Sequence, residues 1–486
     1  MNLQLNHLNG KAAAITPMVV EALHQLVEGG DIDAAQFAGL QVQLDWVQYK
    51  QNFREMVTVA NMADTIRAGG ERRPRAIDMR IDTRQVTAEN LRAEMRRALA
   101  AAGDREKSAE DRIPLEDFKS FRHSLAWEFN KLYWGQLGEW EKMTGKGYQE
   151  ALPGGKSDGN QDEAVMDSVA DFWTLLRDME TRKQLPAEIF ILEIGVGSGT
   201  RCGMFVEKFR QLDQQRGTSY YPRLRVLMGD YSLETLDMSR PAVKEHLHLC
   251  SFLALDALNP LKSISFLRHK ILYIHSTNMY DNLPDEEILR RDGGLFYVHV
   301  RAYVPMREAV KLAEKFKVPI DGFRGAVDKL LAIGPDFAGD RSCGMSFWAE
   351  LWKAMRLEEK IVAFEDLPDL MLPTGLDVPR LEDILARVPG DLRFHLSSGA
   401  LESFVNTIPL LHPRGYLQVQ DIFVTDLNEY RVGFHGPGKL DGSIVNWVNG
   451  ALLKGVAERT GYDLHFAPYR YRKESKTSVL YTTPRE

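Results

Sequence analysis

The sequence predicts an α/β fold: a parallel sheet domain preceded by a helical N-terminal domain and interrupted by a mainly helical insert. From about residue 10 to 150, apolar residues recur at helical spacing, with charged or glycine-rich breaks between the segments. After residue 186, short apolar strands alternate with helical segments, which is typical of a parallel sheet. Residues 301–400 read mainly as helices and are too long for a loop, so we expect a lid or cap there.

A chain of 486 residues exceeds what one hydrophobic core usually organises, so several domains are expected. The polar, glycine-rich segment 152–164 is the best linker candidate. The predicted division is a helical N-terminal domain (1–150), a linker with a leading helix (151–185), the first part of the sheet domain (186–300), the inserted helical lid (301–400) and the remainder of the sheet domain (401–486).

Seven segments predict strands of the sheet domain because each is a short apolar run bounded by turn residues. They are EIFILEIG, RLRVLMGD, SFLALD, KILYIHST, GYLQVQDIF, DLHFAPYRY and KTSVLYTT.

The composition limits the function classes. With 44% hydrophobic and 27% charged residues the chain has the composition of a soluble globular protein. Its net charge of -7 supplies no broad positive field, which disfavours nucleic acid and anionic membranes as partners. The widely spaced Cys202, Cys250 and Cys343 suit a reducing compartment, and no export segment or long apolar run stands out. We therefore expect a cytoplasmic protein without a metal site.

The segment 191–201, ILEIGVGSGTR, combines the end of an apolar strand, a glycine turn and the start of a helix. Glycines let the backbone turn sharply and approach a ligand closely, and the helix start presents unpaired N–H groups. A dinucleotide fingerprint requires a third glycine where Thr200 stands. The alternate spacing of Gly195, Gly197 and Gly199 therefore disfavours NAD.

Acidic residues also end the next two predicted strands. Asp230, followed by Tyr231 and Ser232, ends the second strand, and its carboxylate can accept hydrogen bonds from the vicinal hydroxyls of a ribose. The alternative is that Asp230 or Ser232 caps the following helix. Asp256 ends the third strand, where the alternative role is a turn residue.

This pattern resembles the class I S-adenosylmethionine-dependent methyltransferases, whose first motif has an acid followed by three alternate glycines. Glu193, Gly195, Gly197 and Gly199 match that motif. The resemblance covers roughly residues 186–300 and 410–486 and implies a Rossmann-like sheet of seven strands that ends in a reversed hairpin. It implies S-adenosyl-L-methionine as cofactor, bound by Glu193, Gly195, Gly197, Ser198, Gly199, Thr200, Asp230, Tyr231, Ser232, Asp256, Ala257, Thr277, Asn278 and Met279.

The segment after the fourth strand, NMYDNLPDE, supplies the catalytic candidates Asp281 and Tyr280. It also resembles, more weakly, the MidA-like branch of protein arginine methyltransferases, although Met279 stands where that branch has an acid. Asp285 and Glu286 are further carboxylates that could hold a guanidinium. Other candidates near the crevice, each with a structural alternative, are His275, His412, His435, Asp421, Asp441, Asn446, Trp447 and Asn449.

The favoured function is transfer of a methyl group to a small-molecule, peptide or protein acceptor. Three alternatives stay open: a MidA-like methyltransferase or assembly factor, a non-catalytic scaffold, and another enzyme that uses the same cofactor or a nucleotide, since fold does not determine reaction. The aromatic residues Trp127, Tyr133, Trp134 and Trp140 either pack in a core or cover an acceptor pocket, and a homodimer is possible.

Overall fold

The fold is described from a computed structural model of the chain. The structure describes residues 2–6, 11–45, 51–62, 77–84, 86–103, 108, 110–152, 155, 157–367 and 372–485.

The strands in chain order are β1 (Asn2–Asn6), β2 (Gln41–Asp45), β3 (Gln51–Asn52), β4 (Val57–Met62), β5 (Ile77–Asp82), β6 (Arg112–Pro114), β7 (Lys119–Ser120), β8 (Ile189–Ile194), β9 (Leu224–Asp230), β10 (Cys250–Ala254), β11 (Ile271–Thr277), β12 (Glu287–Arg291), β13 (Gly294–Pro305), β14 (Arg356–Ala363), β15 (Leu392–His395), β16 (Leu411–Asp421), β17 (Phe423–Val424), β18 (Gly438–Leu440), β19 (Ser443–Val445), β20 (Val448–Asn449), β21 (Tyr462–Pro468) and β22 (Ser478–Pro484).

The α-helices are α1 (Thr16–Glu28), α2 (Ala34–Gly39), α3 (Ala88–Gly103), α4 (Leu125–Gly135), α5 (Leu137–Thr144), α6 (Tyr148–Ala151), α7 (Asp162–Thr181), α8 (Thr200–Arg216), α9 (Leu233–Ser239), α10 (Pro260–Ile264), α11 (Met306–Phe316), α12 (Phe323–Ile333), α13 (Arg341–Ala354), α14 (Val378–Leu385), α15 (Ser398–Thr407) and α16 (Gly450–Ala457).

One sheet has seven strands in the order β10-β9-β8-β11-β16-β22-β21. The first five are parallel, and β22 runs antiparallel to both β16 and β21. Each of the seven predicted strands coincides with one of these strands to within a few residues, so those strand predictions are confirmed. Because the parallel strands all end at one edge, the loops after β8, β9, β10, β11 and β16 meet there.

The predicted helical N-terminal domain contains a sheet as well as helices, so that prediction is corrected. Strands β1, β2, β5 and β4 lie side by side, and α1 and α3 pack against them through an apolar cluster that includes Leu23 and Met95. The segment of β5, IDMRID, alternates apolar and charged residues, which is a strand pattern. Both of its faces are buried, because ion pairs cover the charged face.

The insert is also less helical than expected. Strands β14, β13, β12 and β15 continue the N-terminal strands into a second sheet of ten strands, in which β6 and β7 pair with β13. Since β12 and β13 belong to this second sheet, the insert begins before residue 300. Helices α11 and α13 pack on β13, and with α12 they form a second apolar cluster that includes Trp348 and Trp352.

The segment predicted as a linker is anchored where the structure describes it. Asp158 is buried, and its carboxylate accepts hydrogen bonds from Ser475 and, at 2.7 Å, from Thr477. Its carbonyl oxygen accepts one from Tyr469 at 2.5 Å. Residues 157–160 therefore lie against the hairpin at the far edge of the seven-stranded sheet and lead into α7.

None of the helices in the described ranges is long and apolar enough to cross a membrane. Within the same ranges, no group of three or more histidine, cysteine or acidic side chains is arranged to hold a metal ion.

Candidate active site

A glycine loop joins β8 to α8. Gly195, Gly197 and Gly199 have φ values of 74°, 52° and 72°, a region that glycine adopts readily. The Gly195 N–H donates to the carbonyl oxygen of Gly229 at 2.9 Å, which ties the loop to β9. A Cβ atom added at Gly197 would meet no atom within 4 Å, so the middle of the loop faces open space.

Helix α8 begins directly after this loop. Gly199 precedes it in a left-handed conformation, and no side chain caps the first turn. The free N–H groups and the positive end of the helix dipole therefore favour an anionic group at this point. Ser198 and Thr200 are exposed beside it, with their hydroxyl oxygens 2.9 Å apart.

Glu193, the acid of the motif, is buried and forms an ion pair with Arg201, with 3.1 Å between Oε2 and Nη1. Arg201 also donates to the Tyr273 hydroxyl at 2.7 Å, and that hydroxyl donates to Gln418 at 2.6 Å. Burial raises the pKa of Glu193, and the Arg201 charge opposes this shift. This chain of contacts joins β8, α8, β11 and β16, so Glu193 holds the loop in place. Sequence reasoning missed Arg201.

Asp230 ends β9 beside the glycine loop. Its Oδ2 accepts from the Gly197 N–H at 3.2 Å and its Oδ1 from the Ser232 N–H at 3.1 Å. Burial raises the Asp230 pKa, and these backbone hydrogen bonds oppose the shift. Each oxygen keeps a further lone pair. Tyr231 is 57% exposed, whereas the Ser232 hydroxyl accepts from the Thr235 N–H and caps α9.

The next predicted site residues follow β10. Asp256 is exposed, and its Oδ1 accepts from the Leu258 N–H at 2.9 Å, as a turn residue does. Ala257 is half-buried beside it. Asp256 therefore lies at the same edge of the sheet as Asp230, with its other oxygen open to a ligand.

Residues Thr277, Asn278 and Met279 follow β11. Asn278 has a positive φ of 49°, and its N–H donates to the Gln420 carbonyl at 2.9 Å. Met279 lies over the glycine loop, since a Cβ added at Gly195 would be 3.4 Å from Met279 Cγ. Thr277 lies closer still to Gly159 of the anchored segment, where an added Cβ would be 2.7 Å from Thr277 Oγ1. The chain before α7 thus borders the crevice.

The tight turn after Met279 is organised by Asp421 at the end of β16. Asp421 Oδ2 accepts from three successive N–H groups, those of Met279 (3.1 Å), Tyr280 (2.8 Å) and Asp281 (3.3 Å). Its Oδ1 accepts from the Ile422 N–H at 2.8 Å. Burial raises the pKa of Asp421 to about 6, and the backbone hydrogen bonds oppose that shift.

The two predicted catalytic residues lie in this turn. Asp281 is 6% exposed, and its Oδ1 accepts from the Asn282 side chain at 2.7 Å. Burial and the neighbouring Asp421 charge raise the pKa of Asp281 well above its usual value. Tyr280 is 3% exposed and packs in the apolar core beside Ser403. Asp281 is thus the better placed of the two to meet a ligand.

Helices α4 to α6 cover the turn from the other side. The Asn130 side chain donates to the Asn282 carbonyl at 3.1 Å and accepts from the Ile444 N–H at 2.8 Å, which joins α4, the turn and β19. The rings of Trp134 and Tyr148 are 5.0 Å apart. Of the predicted aromatic residues, Trp127, Tyr133 and Trp140 are buried and pack in the second cluster, whereas Trp134 is half-buried.

The carboxylates considered for a guanidinium are engaged elsewhere. Asp285 contacts His395 Nδ1 and accepts from the Ser397 N–H. Glu286 is buried beside Ser398, so both side chains face the start of α15. Asp285 and Glu286 therefore have roles that differ from that of Asp281.

The candidate histidines do not gather at the crevice. His275 is buried on β11, and burial keeps its pKa well below the usual value. His412 is half-buried and its pKa is lowered by burial and by Arg414. Burial lowers the pKa of His435 to about 3.

Most residues predicted on the acceptor side have structural roles. Asp441 accepts from the Tyr133 hydroxyl at 3.1 Å and the Trp140 indole at 2.8 Å. Asn449 caps α16 through the Leu452 N–H. Trp447 packs against Phe434.

Asn446 differs from these residues. Its N–H donates to the Asp281 carbonyl at 2.9 Å, while its buried side-chain amide reaches no described hydrogen-bond partner. It therefore belongs to the surroundings of the turn.

No family model matches the chain, and no curated protein matches it. Among solved structures, it is similar to a methyl transferase candidate from Burkholderia thailandensis with bound S-adenosyl-homocysteine, at 13% identity and a TM-score of 0.44, over 81% of this chain and 92% of that one. It is also similar to the DszA carbon methyltransferase, at 10% identity and a TM-score of 0.32, over 83% of this chain and 72% of that one. A third is the methyltransferase domain of the citrinin polyketide synthase, at 12% identity and a TM-score of 0.29, over 74% of this chain and 66% of that one.

Proposed function

We propose that this protein is an S-adenosylmethionine-dependent methyltransferase. The observation that carries the proposal is the junction of the open glycine loop with Asp230, where the Gly197 N–H donates to the carboxylate at the shared carboxyl edge of β8 and β9. A backbone that faces open space beside an oriented carboxylate suits a ligand with both a ribose and a charged tail.

The residues at this edge fit the cofactor. The free lone pairs of Asp230 suit the two ribose hydroxyls, and Asp256 and Ala257 lie on the side where the adenine would lie. The uncapped start of α8, with Ser198 and Thr200, suits the cofactor carboxylate. Met279 and Thr277 close the crevice over Gly195 and Gly159. When bound, the cofactor supplies a methyl group on a positively charged sulfur.

In this proposal the protein's own contribution is alignment, exclusion of water and proton removal from the acceptor. Asp281 is the proposed base. Its pKa is raised, and a higher pKa makes the carboxylate a stronger acceptor of a proton from the methyl acceptor. Tyr280 has a positioning role, because its N–H donates to Asp421 while its ring lies in the core. Glu193 and Arg201 hold the glycine loop.

The proposal predicts that Asp230→Ala weakens binding of S-adenosyl-homocysteine by about 30- to 150-fold, because hydrogen bonds to a charged group contribute about 2–3 kcal/mol. Calorimetric titration of the parent and the variant measures this difference. Asp237→Ala is the matched control, since Asp237 is 74% exposed on the same stretch of chain and should leave the affinity unchanged.

Circular dichroism of each variant checks that the fold is retained. If the folded parent binds neither S-adenosylmethionine nor its demethylated product, or if Asp230→Ala binds as the parent does, the proposal is wrong.

A further inference from the structure

The buried carboxyl groups of Asp281 and Asp421 lie together at the turn Met279–Asn282. Asp281 is 6% exposed and Asp421 is fully buried. Among the described residues, no lysine, arginine or histidine forms an ion pair with either carboxylate. Of the eleven other buried acidic side chains in these residues, all but Asp213 and Glu286 have such a partner. A buried anion is costly unless a counter-charge offsets it.

Polar atoms around this turn also lack partners. Asn282 Oδ1, both amide atoms of Asn446 and Trp134 Nε1 are buried and reach no hydrogen-bond partner among the described residues, and the Tyr148 hydroxyl lies beside the Asn282 side chain. Asn446 is 2% exposed, and its own N–H donates to the Asp281 carbonyl. The Asn282 amide donates to Asp281 on one side and to the Asn278 carbonyl on the other, which turns its oxygen away from both. Buried polar atoms of folded proteins are usually paired, so this group has hydrogen-bonding capacity that a ligand can use.

Aromatic rings from the N-terminal helices form the opposite wall. The ring centroids of Tyr133 and Trp134 are 5.0 Å apart, as are those of Trp134 and Tyr148. The charges of Asp281 and Asp421 both act on the Tyr148 hydroxyl and help raise its pKa, after burial itself. The Tyr148 hydroxyl thus lies near both carboxylates, and aromatic faces attract cations.

We propose that the surroundings of this turn, formed by Asp281, Asn282, Asn446, Trp134 and Tyr148, are the acceptor site and bind a protonated organic amine. The inference rests on the proposed methyltransferase function, because Met279, which starts the turn, lies directly over the glycine loop. A cation offsets the buried charge of Asp281. A neutral or anionic acceptor would leave that carboxylate without a counter-charge.

The geometry favours an ammonium group over a guanidinium. Asp281 Oδ1 already accepts from the Asn282 side chain, and the oxygens of Asp421 accept from four backbone N–H groups, so a planar fork finds no carboxylate with both oxygens free. The available acceptors are single atoms on different elements: Asp281 and Asn282 on the turn and Asn446 after β19. An ammonium group directs its three N–H bonds to separate acceptors.

Calorimetric titration with three amines and their neutral isosteres tests the charge preference: butylamine against butanol, 2-phenylethylamine against 2-phenylethanol, and putrescine against 1,4-butanediol. The titrations are run at neutral pH, with and without S-adenosyl-homocysteine. We expect at least one amine to bind about tenfold or more tightly than its isostere. If no pair shows this preference, or if 2-phenylethylguanidine binds more tightly than every amine, the amine assignment is overturned.

Variants locate the site. Asp281→Asn keeps the shape and removes the charge, and we expect it to weaken amine binding about tenfold or more while S-adenosyl-homocysteine binding stays within about twofold. Tyr148→Phe keeps the ring and removes the hydroxyl, and we expect it to weaken amine binding less than Asp281→Asn does. It tests the location of the site if Asp281→Asn does not fold. Asp237→Asn is the exposed control. Unchanged amine affinity in the folded turn variants would overturn the location.

The same titrations separate the two proposals. If S-adenosyl-homocysteine binds and no amine binds, the acceptor inference fails while the methyltransferase proposal stands. If amines bind at Asp281 and the parent binds no cofactor, the amine site stands and the methyltransferase proposal fails.

Discussion

Two glycines at the ends of α8 form a matched pair at the residue scale. Gly199 and Gly217 have φ values of 72° and 65°, so an alanine at either position meets the same left-handed strain of about 1–2 kcal/mol. Their surroundings differ: a Cβ at Gly199 would be 2.8 Å from the Ser239 carbonyl oxygen, whereas one at Gly217 would meet nothing within 4 Å.

Gly199→Ala should therefore lower the free energy of unfolding by about 1–3 kcal/mol more than Gly217→Ala. Urea unfolding of both variants measures the difference. Equal losses would show that Ser239 moves aside at little cost and that backbone strain alone explains the glycine.

His435 predicts a pH dependence of stability. Its pKa is about 3 in the folded protein, mainly through burial, and about 6.5 in the unfolded chain. Because the pKa of His435 is lower in the folded protein, the unfolded chain takes up a proton at this ring first as the pH falls. The stability that His435 contributes is complete above about pH 6.5 and is lost as the pH falls towards about 3.

His435→Gln removes this proton uptake. Between pH 6.5 and 4, the free energy of unfolding of the variant should fall less steeply than that of the parent, by up to about 1.4 kcal/mol per pH unit. Urea unfolding at intervals of half a pH unit measures both slopes. Parallel slopes would mean that His435 is not buried as a neutral ring.

At the residue scale, local motifs were predictable and their partners were not. The acid and glycine spacing places Glu193 beside the loop, because those positions are close in sequence. Nothing in the spacing indicates that Arg201 pairs with Glu193 and Tyr273, since that contact depends on how α8 packs on β11. The contact between Asn282 and Tyr148 was missed for the same reason: the two side chains meet only when α6 lies against the turn.

At the element scale, apolar runs decided which strands could be predicted. The strands of the seven-stranded sheet are buried and mostly apolar, and α3 coincides with the predicted helical segment AENLRAEMRRALAAAG. Strand β5 was missed because Asp78, Arg80 and Asp82 make its segment look polar. Only tertiary ion pairs, which no local pattern shows, allow these charges to be buried.

The β18–β19 hairpin gives a prediction about how elements dock. Asp441, in its turn, has a positive φ of 54° and accepts from Tyr133 of α4 and Trp140 of α5. Asp441→Gly relieves the backbone strain but leaves a buried hydroxyl and a buried indole N–H unpaired. We expect a loss of about 2–4 kcal/mol in the free energy of unfolding.

Lys317→Gly is the control for that change. Lys317 also has a positive φ, 55°, at the end of α11 and carries no such hydrogen bonds, so glycine there should be neutral or slightly stabilising. Tryptophan fluorescence during urea unfolding reports both variants. If Asp441→Gly is as stable as the parent, the two helices are held by apolar packing alone.

At the scale of the whole molecule, the ten-stranded sheet joins parts of the chain that are far apart in sequence. Strand β4 pairs with β14, almost three hundred residues later in the chain. Arg80 contacts Glu359 at 3.0 Å, and Arg393 contacts Glu359 at 2.8 Å and also pairs with Glu287. The sequence could indicate a front segment and an insert, but the shared sheet depends on pairing that has no local signal.

This network predicts that the N-terminal strands and the insert lose stability together. Arg393→Met leaves Glu287 and Glu359 buried with reduced counter-charge, which should cost about 3–5 kcal/mol. Arg225→Met, which removes a partly exposed pair with Glu188, is the control and should cost less than about 1 kcal/mol. Hydrogen exchange in the variant should rise in both β12 and β5, because Arg80 depends on the same Glu359. A rise confined to β12 and β15 would instead show that the N-terminal strands are stabilised independently of the insert.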